Sequence, residues 1–254
     1  MHIQVKKSLA IISLFIVFCF SLESSRQKSD SWNHMRFHYQ AKRMGMTVLE
    51  ISFSVEKKEP FYLLTMTLHS TGYIRPFLQV DNLFRSYVLK DKFISLQYEK
   101  HIHQNSLFRK NRNYVDVIHF DQSASKVIVE RLDTEEKREE SVPPGTLDPL
   151  ALFSMYFLEY EGPLNEGIEL TSYDGYHVRT LNLKSTYEDL ETSLYGKIPT
   201  NCLQFQIAFT SMDEKQGDVK IWYSTDKKKY PVQISLNPPS MSEVLFNLVK
   251  VEVD

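Results

Sequence analysis

The sequence predicts a mainly β fold: a strongly curved antiparallel sheet, a half-barrel or open barrel, wrapping one central apolar helix. Three observations carry this expectation. Apolar and polar residues alternate with a period of two through most of the 254 residues, the pattern of strands with one buried face. Charged or Gly- and Asp-containing stretches punctuate the alternation at short intervals. One segment, SVPPGTLDPLALFSMYFLEY at 141–160, breaks the pattern altogether.

The strands are read in order. Met35, Phe37, Tyr39 and Ala41 alternate with Arg36, His38, Gln40 and Lys42, and Gly45 permits a turn. Leu49, Ile51, Phe53 and Val55 follow. After the charged EKKEP comes a third run with Tyr62, Leu64, Met66 and Leu68 on one side. Further strands are expected near 82–89, 92–102, 112–120 and 126–132. The run DTEEKREE at 133–140 reads as a solvated charged loop. In the second half, strands are expected at 168–173 and 176–186 around Asp174-Gly175, a dipeptide suited to hairpin turns because both residues reach positive φ there. Runs containing Leu203–Phe209, Val219–Tyr223 and Val232–Leu236 follow, and a last strand at 243–253.

The odd segment is a helix over about 148–160. Asp148 is the expected N-cap, accepting from free backbone N–H groups, and Pro149 sits where a missing N–H costs nothing. Gly162-Pro163 is the expected stop. Its sequence is apolar nearly all round, so most of its perimeter should be covered. A flat sheet cannot cover it and a strongly curved one can. Leu150, Phe153, Met155, Tyr156 and Phe157 are therefore the candidate ligand-binding residues, lining a cavity for a hydrophobic guest. In the competing reading the same helix is a plug that fills the core.

The N-terminus has another layout. Lys6 and Lys7 precede an apolar run from Leu9 to Phe20, which is a secretory signal peptide by pattern and short of the about 20 residues of a membrane span. Residues 1–21 are read as the signal peptide, 22–33 as a flexible lead-in and 34–254 as a single β-rich domain. The protein is then exported, to the periplasm, or held at a membrane through Cys19 if that residue is lipidated; Phe18 is bulkier than the small residue a lipidation signal carries there. After cleavage Cys202 is the one cysteine left, so no intrachain disulfide can form.

The chemistry-bearing residues are sparse. His101 and His103 share a face on a strand, but a metal site needs a third ligand that no neighbouring residue supplies, so His69 or His119 would have to arrive through folding. No phosphate loop, nucleophile elbow or zinc-protease motif occurs. The expectation is no enzyme, no cofactor and no metal. A net charge of −2 offers no broad surface for nucleic acid.

Three stretches resemble a known family: FHYQAKRMGMTVLEISF at 37–53, VPPGTLDPLALFSMYFL at 142–158 and VKIWYSTDKKKYPVQI at 219–234 are similar to the bacterial domain-of-unknown-function 3108 family. The Asp-Pro-Leu helix start and the stretch from Trp222 to Val232 are the most specific parts. The resemblance covers most of residues 35–250. It implies an exported bacterial protein without an assigned activity, and a curved antiparallel sheet similar to periplasmic lipoprotein-carrier half-barrels. The chain departs from the family at Ala151-Leu152, where a small polar residue is frequent, which argues against hydroxyl chemistry there. The functional expectation is a non-catalytic envelope protein that binds a hydrophobic or amphipathic, lipid-like ligand on the concave face. The alternative is a structural or assembly factor with a filled core, acting on an envelope protein partner.

Overall fold

Alternation along the chain becomes fourteen strands of one antiparallel sheet among the residues the computed structural model describes, which are 32–107, 110–160, 168–208, 216–237 and 242–254. The expected signal peptide and nearly all of the lead-in lie outside the described residues, as does Gly162-Pro163. The strands are β1 (His34–Arg43), β2 (Met46–Lys58), β3 (Phe61–Ser70), β4 (Leu78–Leu89), β5 (Ile94–Ser106), β6 (Arg112–Asp121), β7 (Lys126–Arg131) and β8 (Glu136–Ser141). Helix α1 (Pro149–Leu158) follows. Then come β9 (Ile168–Tyr173), β10 (Val178–Thr192), β11 (Gly196–Ala208), β12 (Gln216–Ser224), β13 (Pro231–Asn237) and β14 (Val244–Val253). Asn33–Asp254 cluster as one unit.

The order across the sheet is β8-β7-β6-β5-β4-β3-β2-β1-β14-β13-β12-β11-β10-β9. It consists of two meanders, joined where β1 pairs with β14 and Met35 faces Val253. Among the described residues no ladder joins β8 to β9, so the sheet is not closed. Instead Leu147 stitches onto β9: its N–H donates to Thr171 O at 2.9 Å, and Tyr173 N–H donates to Leu147 O at 2.9 Å.

Because neighbours are antiparallel throughout, the turns alternate between two ends. One end carries the β2–β3, β4–β5, β6–β7, β10–β11 and β12–β13 turns. The other carries β1–β2, β3–β4, β5–β6, β7–β8 and β9–β10. Most α1 contacts fall toward the first end, called the helix end below.

Burial follows the predicted faces closely in β1, where Met35, Phe37, Tyr39 and Ala41 are buried. In β2 the register slips between Ala41 and Lys42, the signature of a bulge. Val48 is consequently buried where Leu49 was expected, and Ile51, Phe53 and Val55 stay inward.

Two expectations are corrected. The charged run at 133–140 is not all loop. Glu136–Ser141 forms edge strand β8, with Lys137 and Glu139 ion-paired to Glu130 and Lys126 on β7. The Asp174-Gly175 hairpin exists, but as a four-residue connection between Tyr173 and Val178. Only Gly175 takes positive φ, at 95°; Asp174 instead organises the turn by accepting from Tyr176 N–H and His177 N–H through Oδ1.

Candidate functional site

Helix α1 starts where local sequence puts it. The Asp148 carboxylate accepts from Leu150 N–H at 2.9 Å and Ala151 N–H at 3.0 Å through Oδ1. Its other oxygen, Oδ2, accepts from the hydroxyls of Ser86 on β4 and Ser95 on β5, both at 2.6 Å. Ser95 Oγ in turn accepts from Asp148 N–H at 2.8 Å. All three residues are completely buried. Burial pushes the Asp148 carboxyl above its usual range, and the four donors pull against that. The N-cap thus bolts α1 to the β4–β5 hairpin as well as capping it.

The other faces of α1 meet aromatic residues. Phe153 stands edge-on to Phe53 at 5.0 Å, and Phe157 edge-on to Phe37 at 5.8 Å. Tyr156 is edge-on to Tyr223 at 4.7 Å. Polar tips fix the arrangement. Tyr223 OH donates to Phe153 O at 2.8 Å, Asn201 Nδ2 donates to Tyr156 OH at 2.9 Å, and Tyr62 OH donates to Glu159 Oε1 at 3.0 Å. Of the five candidate ligand-binding residues, Leu150, Phe153, Tyr156 and Phe157 are buried and Met155 is half-buried. Leu152 and Leu158, which were not among the ligand-binding candidates, are half-buried as well.

A second buried constellation escaped the sequence reading. Asp116 on β6 is fully buried and accepts from Arg131 Nε at 2.8 Å, with Lys100 Nζ 3.2 Å away. Burial pushes its carboxyl up, but the Arg131 hydrogen bond and the Lys100 charge outweigh that and hold it below the usual range. The same two cations grip the β9–β10 turn. Lys100 Nζ donates to Asp174 O at 2.8 Å and lies 4.3 Å from the Tyr176 ring centroid, while Arg131 Nη2 donates to Tyr176 OH at 2.6 Å. Arg138 on β8 also donates to Gly175 O. The open ends of the sheet are therefore clasped by side chains. The available signal was four polar residues, Ser86, Ser95, Lys100 and Asp116, on strands whose apolar partners face inward.

His101 and His103 lie beside a shallow depression of about 360 Å³ that Asp81, Tyr114 and Asp133 also line. Among the described residues no three His, Cys, Asp or Glu side chains are placed to hold a metal ion. Cys202 is buried on β11, and desolvation pushes its thiol up to about 11, away from the reactive thiolate.

Comparison with known proteins agrees with this architecture. A family model described as "Protein of unknown function (DUF3108)" matches residues 35–240. Among solved structures, the chain is similar to a beta-barrel-like protein of the domain of unknown function DUF1849 from Brucella abortus. That match has 10% identity and a TM-score of 0.60, covering 88% of this chain and 98% of that one. A hypothetical protein, CT021 from Chlamydia trachomatis, matches at 11% identity and a TM-score of 0.35 over 85% of this chain and 87% of that one. No curated protein matches. At such identity the first likeness speaks for the fold alone: a mainly β, barrel-like antiparallel sheet with one short helix.

Proposed function

The chain belongs to the DUF3108 family of proteins of unknown function, and we propose that it is a non-catalytic, exported bacterial envelope protein that binds a hydrophobic or amphipathic, lipid-like ligand. The ligand lies on the concave face of a strongly curved sheet, against α1. One observation carries this reading. The helix is apolar nearly all round, yet part of its perimeter is left half-open. Leu152, Met155 and Leu158 recur every three residues, so they share one face about 120° wide, and all three are half-buried. An apolar face partly open to water beside a sealed core is where an acyl chain gains most by leaving water. Met155 then meets the ligand directly, with Leu150, Phe153, Tyr156 and Phe157 as the packed backing.

The span of the helix supports the curvature. α1 and its cap reach Ser95 on β5 and Asn201 on β11. These strands stand eight places apart in the sheet order, roughly 38 Å if the sheet were flat. Ten helical residues are roughly 15 Å long. A rolled sheet brings both strands within reach.

Export rests on Lys6, Lys7 and the apolar run from Leu9 to Phe20. The absence of catalysis rests on how the buried polar groups are engaged, Asp148 in a helix cap and Asp116 between two cations. Native mass spectrometry of the protein purified from its own envelope tests the reading. A stoichiometric non-covalent lipid is expected, absent from a folded Met155→Glu chain. A clean ligand-free mass for the wild type, or unchanged lipid in the variant, overturns it in favour of an assembly factor with a filled core. A denaturing mass from the same sample reads acylation of Cys19.

A further inference from the structure

The two ends of the sheet differ in how many large apolar side chains they expose. Of the thirteen large apolar side chains that are exposed among the described residues, nine lie at the end opposite the helix end. Six of them lie on the neighbouring turns and strand ends of the β1–β6 side, which form a rim: Met44 (85% exposed), Met46, Tyr73, Phe77 (51%), Leu78 and Leu107 (71%). Backbone bonds tie their three turns into a platform. Thr71 N–H donates to Val48 O at 2.9 Å, joining the β3–β4 turn to β2, and Leu107 N–H donates to Phe77 O at 3.1 Å, joining the β5–β6 turn to the β3–β4 turn. Gly72, at φ +60°, allows the close approach, since a Cβ there would stand 2.7 Å from Thr47 O.

Four exposed cations flank this rim, with the acid Glu243 exposed at the neighbouring start of β14. Lys42, Arg43, Lys110 and Arg112 are exposed within the same turns and strand ends. None of the four takes part in an ion pair among the described residues. The nearby acid Asp81 is already engaged, accepting from Arg75 Nη1 and Nη2 at 2.9 and 2.8 Å. The patch stops at the β7–β8 turn, where Asp133, Glu135 and Glu136 are exposed.

We propose that this rim is a docking surface for an anionic lipid bilayer. Apolar tips on protruding turns insert among acyl chains without needing a complementary groove, and the flanking cations meet the headgroups. The proposal stands whether or not α1 holds a ligand, since it uses other residues at the other end of the sheet.

Tryptophan quenching by brominated acyl chains tests it in the full chain. Phe77→Trp places a probe on the rim, and Tyr195→Trp places one at the helix end, where Tyr195 is also exposed. Emission of the parent chain, with Trp32 and Trp222, is the baseline for both. On vesicles of phosphatidylglycerol mixed with phosphatidylcholine, the Phe77→Trp probe should be quenched and the Tyr195→Trp probe should not. Lys42→Gln/Arg43→Gln in the Phe77→Trp background should weaken rim insertion about 30-fold, which is roughly 1 kcal/mol for each charge removed. Raised salt should weaken it too. The proposal is overturned if the rim probe stays unquenched, as it would when only the N-terminal apolar run enters the bilayer. Equal quenching of both probes, or an unchanged signal in the charge variant, overturns it as well.

Discussion

Replacing Asp148 should detach α1 from the sheet at its first turn. In Asp148→Ala two helix N–H groups lose their acceptor, a loss of about 1 kcal/mol for an N-cap. Ser86 and Ser95, both completely buried, lose the acceptor of their hydroxyls. Each orphaned donor costs about 1 kcal/mol at the lower end of the range for buried groups. Relief from no longer burying a carboxylate offsets part of this, leaving a loss of about 2 to 3 kcal/mol, a large share of the stability of an ordinary domain. Asp148→Asn keeps one oxygen for the helix and should lose about half as much. The pH dependence separates the two contributions. The folded-state pKa of Asp148 is raised, so its buried carboxyl is best tolerated protonated. Its contribution falls as pH rises from the usual carboxylate value through the raised one, then levels off. Urea unfolding of wild type and Asp148→Asn across that range reads this directly. The difference in stability, wild type minus variant, should decrease with pH. A flat or rising difference refutes the assignment, and so does a loss below 0.5 kcal/mol in Asp148→Ala, on the order of an unremarkable surface change.

Two further outcomes follow from the other buried groups. Asp116→Asn leaves Lys100 and Arg131 without their shared carboxylate and should cost about 3 kcal/mol; hydrogen exchange should accelerate first in the β9–β10 turn, and uniform acceleration would show that the clasp is not local. Wild-type stability from the same group should be present above the usual carboxylate pKa and lost as pH falls through its depressed value. Cys202, with its thiol at about 11, should resist a polar thiol reagent in the native protein and react only after unfolding, as mass mapping would report.

Local rules made much of this fold legible. Asp148-Pro149 announces the helix start because capping involves only neighbouring residues, and β1 alternates cleanly because one of its faces is fully covered. The misses share a cause. β8 has exposed residues on both faces, so the period-two signal, which reports burial, has nothing to report. Much of the later part of β10, including Tyr187, is exposed too, and the strand runs on to Thr192 where a stop near 186 was expected. The bulge that turns Val48 inward depends on pairing with β1. The serine partners of Asp148 lie 62 and 53 residues away, and Asp116 meets Lys100 and Arg131 on neighbouring strands, so these inward polar positions gain meaning only once the strands are in register. The candidate residues on α1 were found by composition, but which of them are buried depends on strands distant in sequence, such as β1, β2 and β12.

The seam between β1 and β14 bears on the order of assembly. Among the described residues every other ladder joins strands adjacent in sequence, so each meander can form from local contacts, as fast-folding topologies do. The seam, the stitch at Leu147, the clasp on the β9–β10 turn and the contacts of α1 require distant parts of the chain to meet. Asn33 N–H donates to Asp254 O at 2.7 Å, so the two ends of the domain sit side by side in the middle of the sheet rather than at its margins. Deleting β14 would therefore do more than shorten an edge. It would divide the protein into two half-sheets, each with a raw hydrogen-bonding edge open to pairing with another chain.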